Sequence, residues 1–235
     1  MNIDDQSLED SSKLLKDNDI NFWVCHGTLL GIVRENRILP WDSDIDLAVW
    51  GHENNKEEIT NIFESNGYKQ ELFFADPDSL HFYGKGKNVD INFYKKTGNI
   101  AVWEGAIPLK GLLNRIVIEV AHILHMRDIS TVKLPVNYIK KYLYILFSRL
   151  VLLLKIFMSK KLKRKIHQNA IKRINYIGYS YPFDLLVFKD IDYKGIALKI
   201  PFNSEKCLEL TYGKNWKIPN KKYIWHKDAH NLTKA

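Results

Sequence analysis

His26-Gly27-Thr28-Leu29-Leu30-Gly31-Ile32-Val33-Arg34, followed shortly by Pro40-Trp41-Asp42-Ser43-Asp44-Ile45-Asp46, is the stretch whose reading decides this chain. Ile45, Leu47, Ala48 and Val49 give the segment after Pro40 the apolar character of a strand. On a strand, residues two apart project to the same face, so Asp44 and Asp46 point together and Asp42 shares their parity. Carboxylates this close repel one another unless a cation lies between them. All-oxygen ligands of this kind suit Mg²⁺, with Mn²⁺ as the other candidate, held by one or two carboxylates plus substrate phosphates.

The turn upstream supplies the complement. Gly27 permits close backbone approach to a phosphate, and Thr28 adds a hydroxyl at the start of a short helix, where anions are favoured. A third carboxylate is expected from Asp90, in Asn88-Val89-Asp90-Ile91-Asn92-Phe93-Tyr94, because an ionised side chain inside an apolar run is costly without a partner. His26 adjoins the turn and is a further candidate for reaching a substrate.

Size and charge narrow the classes. A chain of 235 residues suits one large domain or a domain with a small appendage. Its 46% hydrophobic and 26% charged residues argue against wholesale disorder. With 35 Lys and Arg against 27 Asp and Glu, a net charge of +8 calls for an anionic partner such as a nucleotide, nucleic acid or acidic lipid. Cys25 and Cys207 are too few for a disulfide framework, and buried thiols are expected. Met1 to Asp5 is polar and acidic, without the apolar run of a signal peptide, so a cytoplasmic location is expected.

Along the chain, periodicity predicts a helix over 7–16, a strand over 20–25, a helix over 28–34 and the aspartate strand. A helix over 53–65 closes at Asn66-Gly67. Strands are then predicted over 68–74, 80–83, 88–94 and 99–103, giving a mixed α/β core over 1–108. Residues 109–183 are expected to form a helical insertion, with long apolar segments over 109–126 and 138–158 separated at Lys133-Leu134-Pro135. Residues 184–235 return to strands (185–188 and 196–200), a helix over 203–210 and an aromatic tail that packs back on the core.

The run from Tyr142 to Met158 is apolar except for Ser148, Arg149 and Lys155. It is short and interrupted for a spanning helix, which needs about 20 apolar residues. Lys141, Ser148, Lys155 and Ser159 fall on one helical face opposite a wide apolar surface, and Lys160-Lys161-Leu162-Lys163-Arg164-Lys165 follows. Two readings stand: an in-plane helix over 138–165 in peripheral contact with anionic membrane, or a core helix followed by a solvated basic face.

A Gly-Thr turn, an Asp-x-Asp strand and a later single Asp resemble the nucleotidyltransferase fold of the DNA polymerase β type. More closely, Gly27 to Asp46 resembles the LicD family, which includes fukutin and the fukutin-related protein and whose signature runs GTLLG…R…(I)PWD-x-D-(I/V)-D. Val89-Asp90-Ile91 is similar to that family's later IDIF element, with Asn92 where Phe is usual. Leu208-Glu209-Leu210-Thr211-Tyr212-Gly213 with Trp216 and Pro219 is similar to its C-terminal segment. The cysteine zinc element of the animal members has no counterpart here, which favours the smaller bacterial type.

The resemblance implies an α/β (α+β) nucleotidyltransferase core with a mixed sheet and an added helical segment. It also implies Mg²⁺-dependent transfer of a phospho-alcohol, phosphocholine first, from a CDP-activated donor to a glycan or glycolipid hydroxyl, with CMP leaving. Such transfers decorate cell-surface polysaccharides, lipopolysaccharide and capsule among them, and a lipid-linked acceptor would place the protein on the inner face of the membrane. Asp44, Asp46 and Asp90 would hold the metal, with Asp90 also taking the hydroxyl proton. Gly27, Thr28 and Arg34 would touch the donor phosphates, with His26 and Asp42 beside them. Two rivals stand: nucleotidyl transfer to a protein or small molecule, and a basic nucleic-acid-binding module built on 160–173. The aromatic interleaving of a single-strand binder is missing there, so no nucleic acid is expected.

Overall fold

Asp44–Trp50 forms the strand around which the core is built, with its five inner residues buried. In the computed structural model, which describes residues 3–71, 75–125 and 138–234, the chain divides into two units. The first comprises Met1–Gln70, Asp78–Gly105 and Ile177–Ala235; the second comprises Glu71–Pro77 and Ala106–Tyr176.

The first unit is a mixed sheet with helices. Its elements begin with α1 (Ile3–Asp17), β1 (Trp23–Val24), α2 (His26–Glu35), β2 (Asp44–Trp50) and α3 (Lys56–Ser65). β3 (Lys69–Glu71), β4 (Ser79–Tyr83), β5 (Asn88–Thr97) and β6 (Ile100–Pro108) follow. β2 and β5 run parallel, in register from Asp44↔Asn88 to Trp50↔Tyr94, while β1 and β4 flank them antiparallel. Alternation then sorts the faces. Ile45, Leu47 and Val49 of β2, with Val89, Ile91 and Phe93 of β5, enter the main core beside Leu8, Ile59 and Phe63. The opposite face carries Asp44, Asp46 and Ala48, and Asp90, Asn92 and Tyr94. Its apolar end enters a second core of Trp23, Cys25, Trp103 and Tyr179.

β7 (Ile174–Pro182) and β10 (Leu232–Lys234) extend the sheet to the order β1-β2-β5-β6-β7-β10. β8 (Phe188–Tyr193) and β9 (Ile196–Pro201) make a separate hairpin. Its turn residues Lys194 and Gly195 both have positive φ, as a tight two-residue hairpin turn requires. α7 (Ser204–Tyr212) starts from Asn203, whose side chain accepts the Lys206 amide at 3.3 Å, and α8 (Trp225–Asp228) precedes β10.

In the second unit, α4 (Leu112–His125), α5 (Tyr138–Phe157) and α6 (Lys160–Ile171) pack through Ile118, Ala121, Ile123, Leu124, Val151 and Ala170.

Several sequence expectations change. The strand expected over 20–25 contracts to two residues, and residues 174–182, expected within a helical stretch, form a strand. The strand expected over 185–188 starts only at Phe188, because residues 183–185 turn as a 3-10 helix. The break expected at Lys133-Leu134-Pro135 and the end of the strand expected over 68–74 lie outside the described residues. On α5 Ser148 and Tyr144 turn toward the unit's interior. Ser148 is fully buried, and the Tyr144 hydroxyl donates to Glu119 at 2.6 Å, leaving the leucine face outward.

Candidate active site

Asp42, Asp44 and Asp46 bring carboxylate oxygens within 4.8 Å of one another. Asp44 and Asp46 are carried by β2; Asp42 ends the Leu39-Pro40-Trp41 turn, where its amide donates to the Leu39 carbonyl at 3.1 Å. Asp46 is the register partner of Asp90 on parallel β5, so both side chains leave the sheet on one face. Asp90 is held from the other side by His81, its register partner on β4, whose Nδ1 lies 2.9 Å from Oδ1.

The electrostatics describe a crowded anionic site. Burial pushes the Asp44 carboxyl up to about 9, with Asp46, Asp90 and Asp42 adding to it. Asp42 is also raised, first by burial and then by Asp46. The nearby Lys87 offsets part of this, and its ammonium also donates to the Asp42 carbonyl. Such a set is short of positive charge, and its carboxylate oxygens could hold a metal ion. Cys25 lies beside it, and burial, then Asp46, raise its thiol well above the usual range, which favours the protonated form.

The Gly-Thr turn is built into the cluster. The Gly27 amide donates to Asp46 Oδ2 at 3.0 Å, so this carboxylate serves as the cap that the preceding residue, Cys25, does not supply to α2. A Cβ at Gly27 would stand 2.0 Å from Asp42 Oδ2, so a larger residue there would have to displace the Asp42 carboxylate. Thr28 is buried, and its Oγ1 accepts the Asp46 amide at 2.8 Å. Its oxygen thus serves β2 as an acceptor, while the hydroxyl proton is left for another partner. His26 takes a φ of 45°. Its Nε2 meets the Tyr94 hydroxyl at 2.8 Å, and its Nδ1 lies 3.6 Å from Asp46. Tyr179 and Trp103 crowd its ring, with centroids 4.8 and 5.1 Å away.

Arg34 does not reach the acids. Its side chain is 7% exposed, and the guanidinium pairs with Glu35 at 2.7 Å and donates to the Trp216 carbonyl at 3.2 Å. It thereby ties α2 to the segment after α7. Between them lies a cavity of about 410 Å³, bounded by Gly27 and Asp42 at one end and by Trp41, Tyr212, Trp216 and Tyr223 along its walls. Lys221 also lines it, its ammonium 5.0 Å from the Trp41 ring centre.

Sequence reasoning missed His81, Tyr94 and Lys87 as neighbours of the acids. His81 and Tyr94 depend on strand register, which no local pattern carries. Lys87, far from Asp42 in sequence, reaches its carbonyl only through the fold.

A family model described as the LicD/FKTN/FKRP nucleotidyltransferase domain matches residues 19–150. Ribitol-5-phosphate transferase FKTN of Mus musculus is 24% identical over 230 residues, 96% of this chain and 35% of FKTN. The uncharacterized protein RP689 of Rickettsia prowazekii is 40% identical over 65 residues, 27% of this chain and 24% of RP689. The chain thus spans about a third and a quarter of the lengths of these two relatives. Among solved structures, lincosamide antibiotic adenylyltransferase LnuA in its lincomycin-bound form aligns with a TM-score of 0.44 and 13% identity, covering 95% of this chain and 99% of that one.

Proposed function

From the premise that this chain belongs to the LicD/FKTN/FKRP nucleotidyltransferase-domain family, we propose that it transfers a phospho-alcohol from a CDP-activated donor to a glycan hydroxyl, releasing CMP. The observation that carries this reading is the acidic cluster of Asp42, Asp44 and Asp46 with Asp90 in register beside it, opening on an aromatic-walled cavity.

Asp44, Asp46 and Asp90 would hold Mg²⁺, with Asp42 next to them. Bound there, the ion would polarise the phosphoryl oxygens and neutralise charge on the leaving group. The protein's own residues supply position and protons. Gly27 leaves the backbone open at the cluster, and Thr28 and His26 fix Asp46. Asp90, oriented by His81, takes the proton of the acceptor hydroxyl as its oxygen forms a bond to the alcohol-bearing phosphorus. The bond from that phosphorus to the bridging oxygen breaks, and CMP carries away the electron pair. Arg34 acts at one remove, by holding the cavity wall at Trp216. The cavity takes the nucleotide end of the donor, its rings stacking on the base.

Choline is the first choice of alcohol on the resemblance, and ribitol is the alternative raised by the name of the FKTN relatives. Cell-surface polysaccharide is the acceptor class, which would place the enzyme where lipid-linked glycans are built. Product analysis tests the reading. With a CDP-alcohol, Mg²⁺ and a glycan acceptor, CMP and a phosphodiester-modified glycan are expected. Release of pyrophosphate from a nucleoside triphosphate, with no CMP from any CDP-alcohol, would replace it by nucleotidyl transfer.

A further inference from the structure

The helical part of the second unit combines a strong excess of basic residues with apolar surface on one face of α5. Residues 106–176 hold fifteen Lys and Arg against two acids, Glu119 and Asp128. That segment has an excess of thirteen positive charges, so the rest of a chain that totals +8 is net acidic by five. On α5, Leu143, Leu146, Leu150, Leu153, Leu154 and Phe157 are each at least half exposed. Their spacing of three and four residues sets them along one side of the helix. The other side is committed to the unit's interior, where Phe147, Val151 and Met158 pack with Ile123 and Leu124. Monomeric soluble proteins rarely leave so continuous an apolar stripe uncovered. Immediately after it, Lys160, Lys161, Arg164 and Lys165 of α6 are exposed.

We propose that this face is a docking surface for an anionic lipid bilayer, with α5 lying in the interfacial plane. Charge decides among occupants. A second copy would bring its own thirteen excess positive charges against the first, and a nucleic acid would meet the lysines but leave six large apolar side chains in water. An anionic bilayer satisfies both halves at once: acyl chains take the leucines and headgroup phosphates take the basic residues. Arg149, exposed on the same side, has a stem long enough to lie along the apolar surface while its guanidinium reaches phosphate. Among the described residues, no helix is long and apolar enough to cross a membrane. The surface shares no residue with the acidic cluster, so its test does not depend on the transfer chemistry.

Flotation of the full chain with phosphatidylglycerol-rich vesicles and with pure phosphatidylcholine vesicles tests it. Binding to the anionic vesicles is expected to be at least about tenfold the stronger, and to fall by a similar factor in a Lys160→Glu/Lys161→Glu/Arg164→Glu variant. A Leu146→Ser/Leu150→Ser/Leu153→Ser variant should lose vesicle binding while its thermal unfolding stays cooperative. A Leu150→Cys variant carrying an environment-sensitive fluorophore gives a second readout, because both native cysteines are buried. Its emission should shift to the blue on anionic vesicles. No shift, or equal flotation on both vesicle types, overturns the proposal. So does a stable dimer that does not float and that the leucine variant dissociates.

Discussion

Asp46 and Asp90 stand opposite each other in register on parallel β2 and β5, and each is gripped from behind: Asp46 by the Gly27 amide at 3.0 Å, Asp90 by His81 at 2.9 Å. The sheet therefore turns two distant positions of the sequence into neighbours and leaves neither side chain loose. The grips differ in kind, and this separates the consequences of losing each residue.

Asp46 caps α2 as well as facing the cluster. Asp46→Ala is expected to abolish turnover and also to destabilise the fold by about 1 kcal/mol or more, the usual scale for a lost N-cap acceptor. Asp90→Asn keeps the shape and should abolish turnover with little change in stability. Parallel measurements of CMP release and thermal unfolding check the contrast. Equal stability losses for the two variants would contradict the cap.

Gly27→Ala ought to be mildly favourable on helix propensity, by roughly 1 kcal/mol. Here the added methyl would collide with the Asp42 carboxylate, 2.0 Å from Oδ2. We expect weaker divalent-cation binding, on the order of tenfold, measured by calorimetry with Mg²⁺ or Mn²⁺. Unchanged affinity would mean that Asp42 is not part of the ion's surroundings.

The Asp44 carboxyl gives a pH signature. Its folded value of about 9 lies above the ordinary 3.8, so the folded state favours the protonated form. Its contribution to stability is complete below about pH 4 and is lost as pH rises through 9. Without metal, the unfolding temperature should therefore fall between pH 5 and pH 9. A divalent cation should recover more at pH 8 than at pH 5, releasing protons as it binds. A cation effect that is flat with pH would exclude this account of the cluster.

Arg34→Lys loses the planar fork that serves Glu35 and the Trp216 carbonyl together. Because Arg34 supports the cavity wall and does not touch the acids, KM for the donor is expected to rise several-fold with kcat nearly unchanged. Steady-state kinetics on the donor distinguishes this from loss of a group acting on the transferred phosphoryl, which would lower kcat.

Much of the site was legible in the sequence because it rests on local rules. Alternation along Asp44 to Val49 places the aspartates on one face, and Gly27 marks a close approach. The remainder lies in relations that local patterns do not encode. His81 reads as an ordinary strand histidine until register sets it against Asp90. β7 was hidden because Ile174-Asn175-Tyr176-Ile177-Gly178 follows directly on a basic helix, and its partners, β6 and β10, lie far off in sequence. In α5, periodicity identifies an apolar face but not which face the protein covers. Ser148 went inward, and the leucines were left outside. The motif positions of Arg34 and Thr28 mark them as donor contacts, but not the bonds that hold them: Arg34 to Glu35 and the Trp216 carbonyl, Thr28 to the Asp46 amide.

The most direct test of the central claim is CMP release from CDP-choline and CDP-ribitol in the presence of Mg²⁺ and an acceptor glycan, comparing the wild type with Asp90→Asn. A loss of about a thousandfold or more in a variant that unfolds at the wild-type temperature is the predicted result. Wild-type turnover in Asp90→Asn would contradict the account, because the carboxylate that strand register sets beside Asp46 would then have no part in the chemistry.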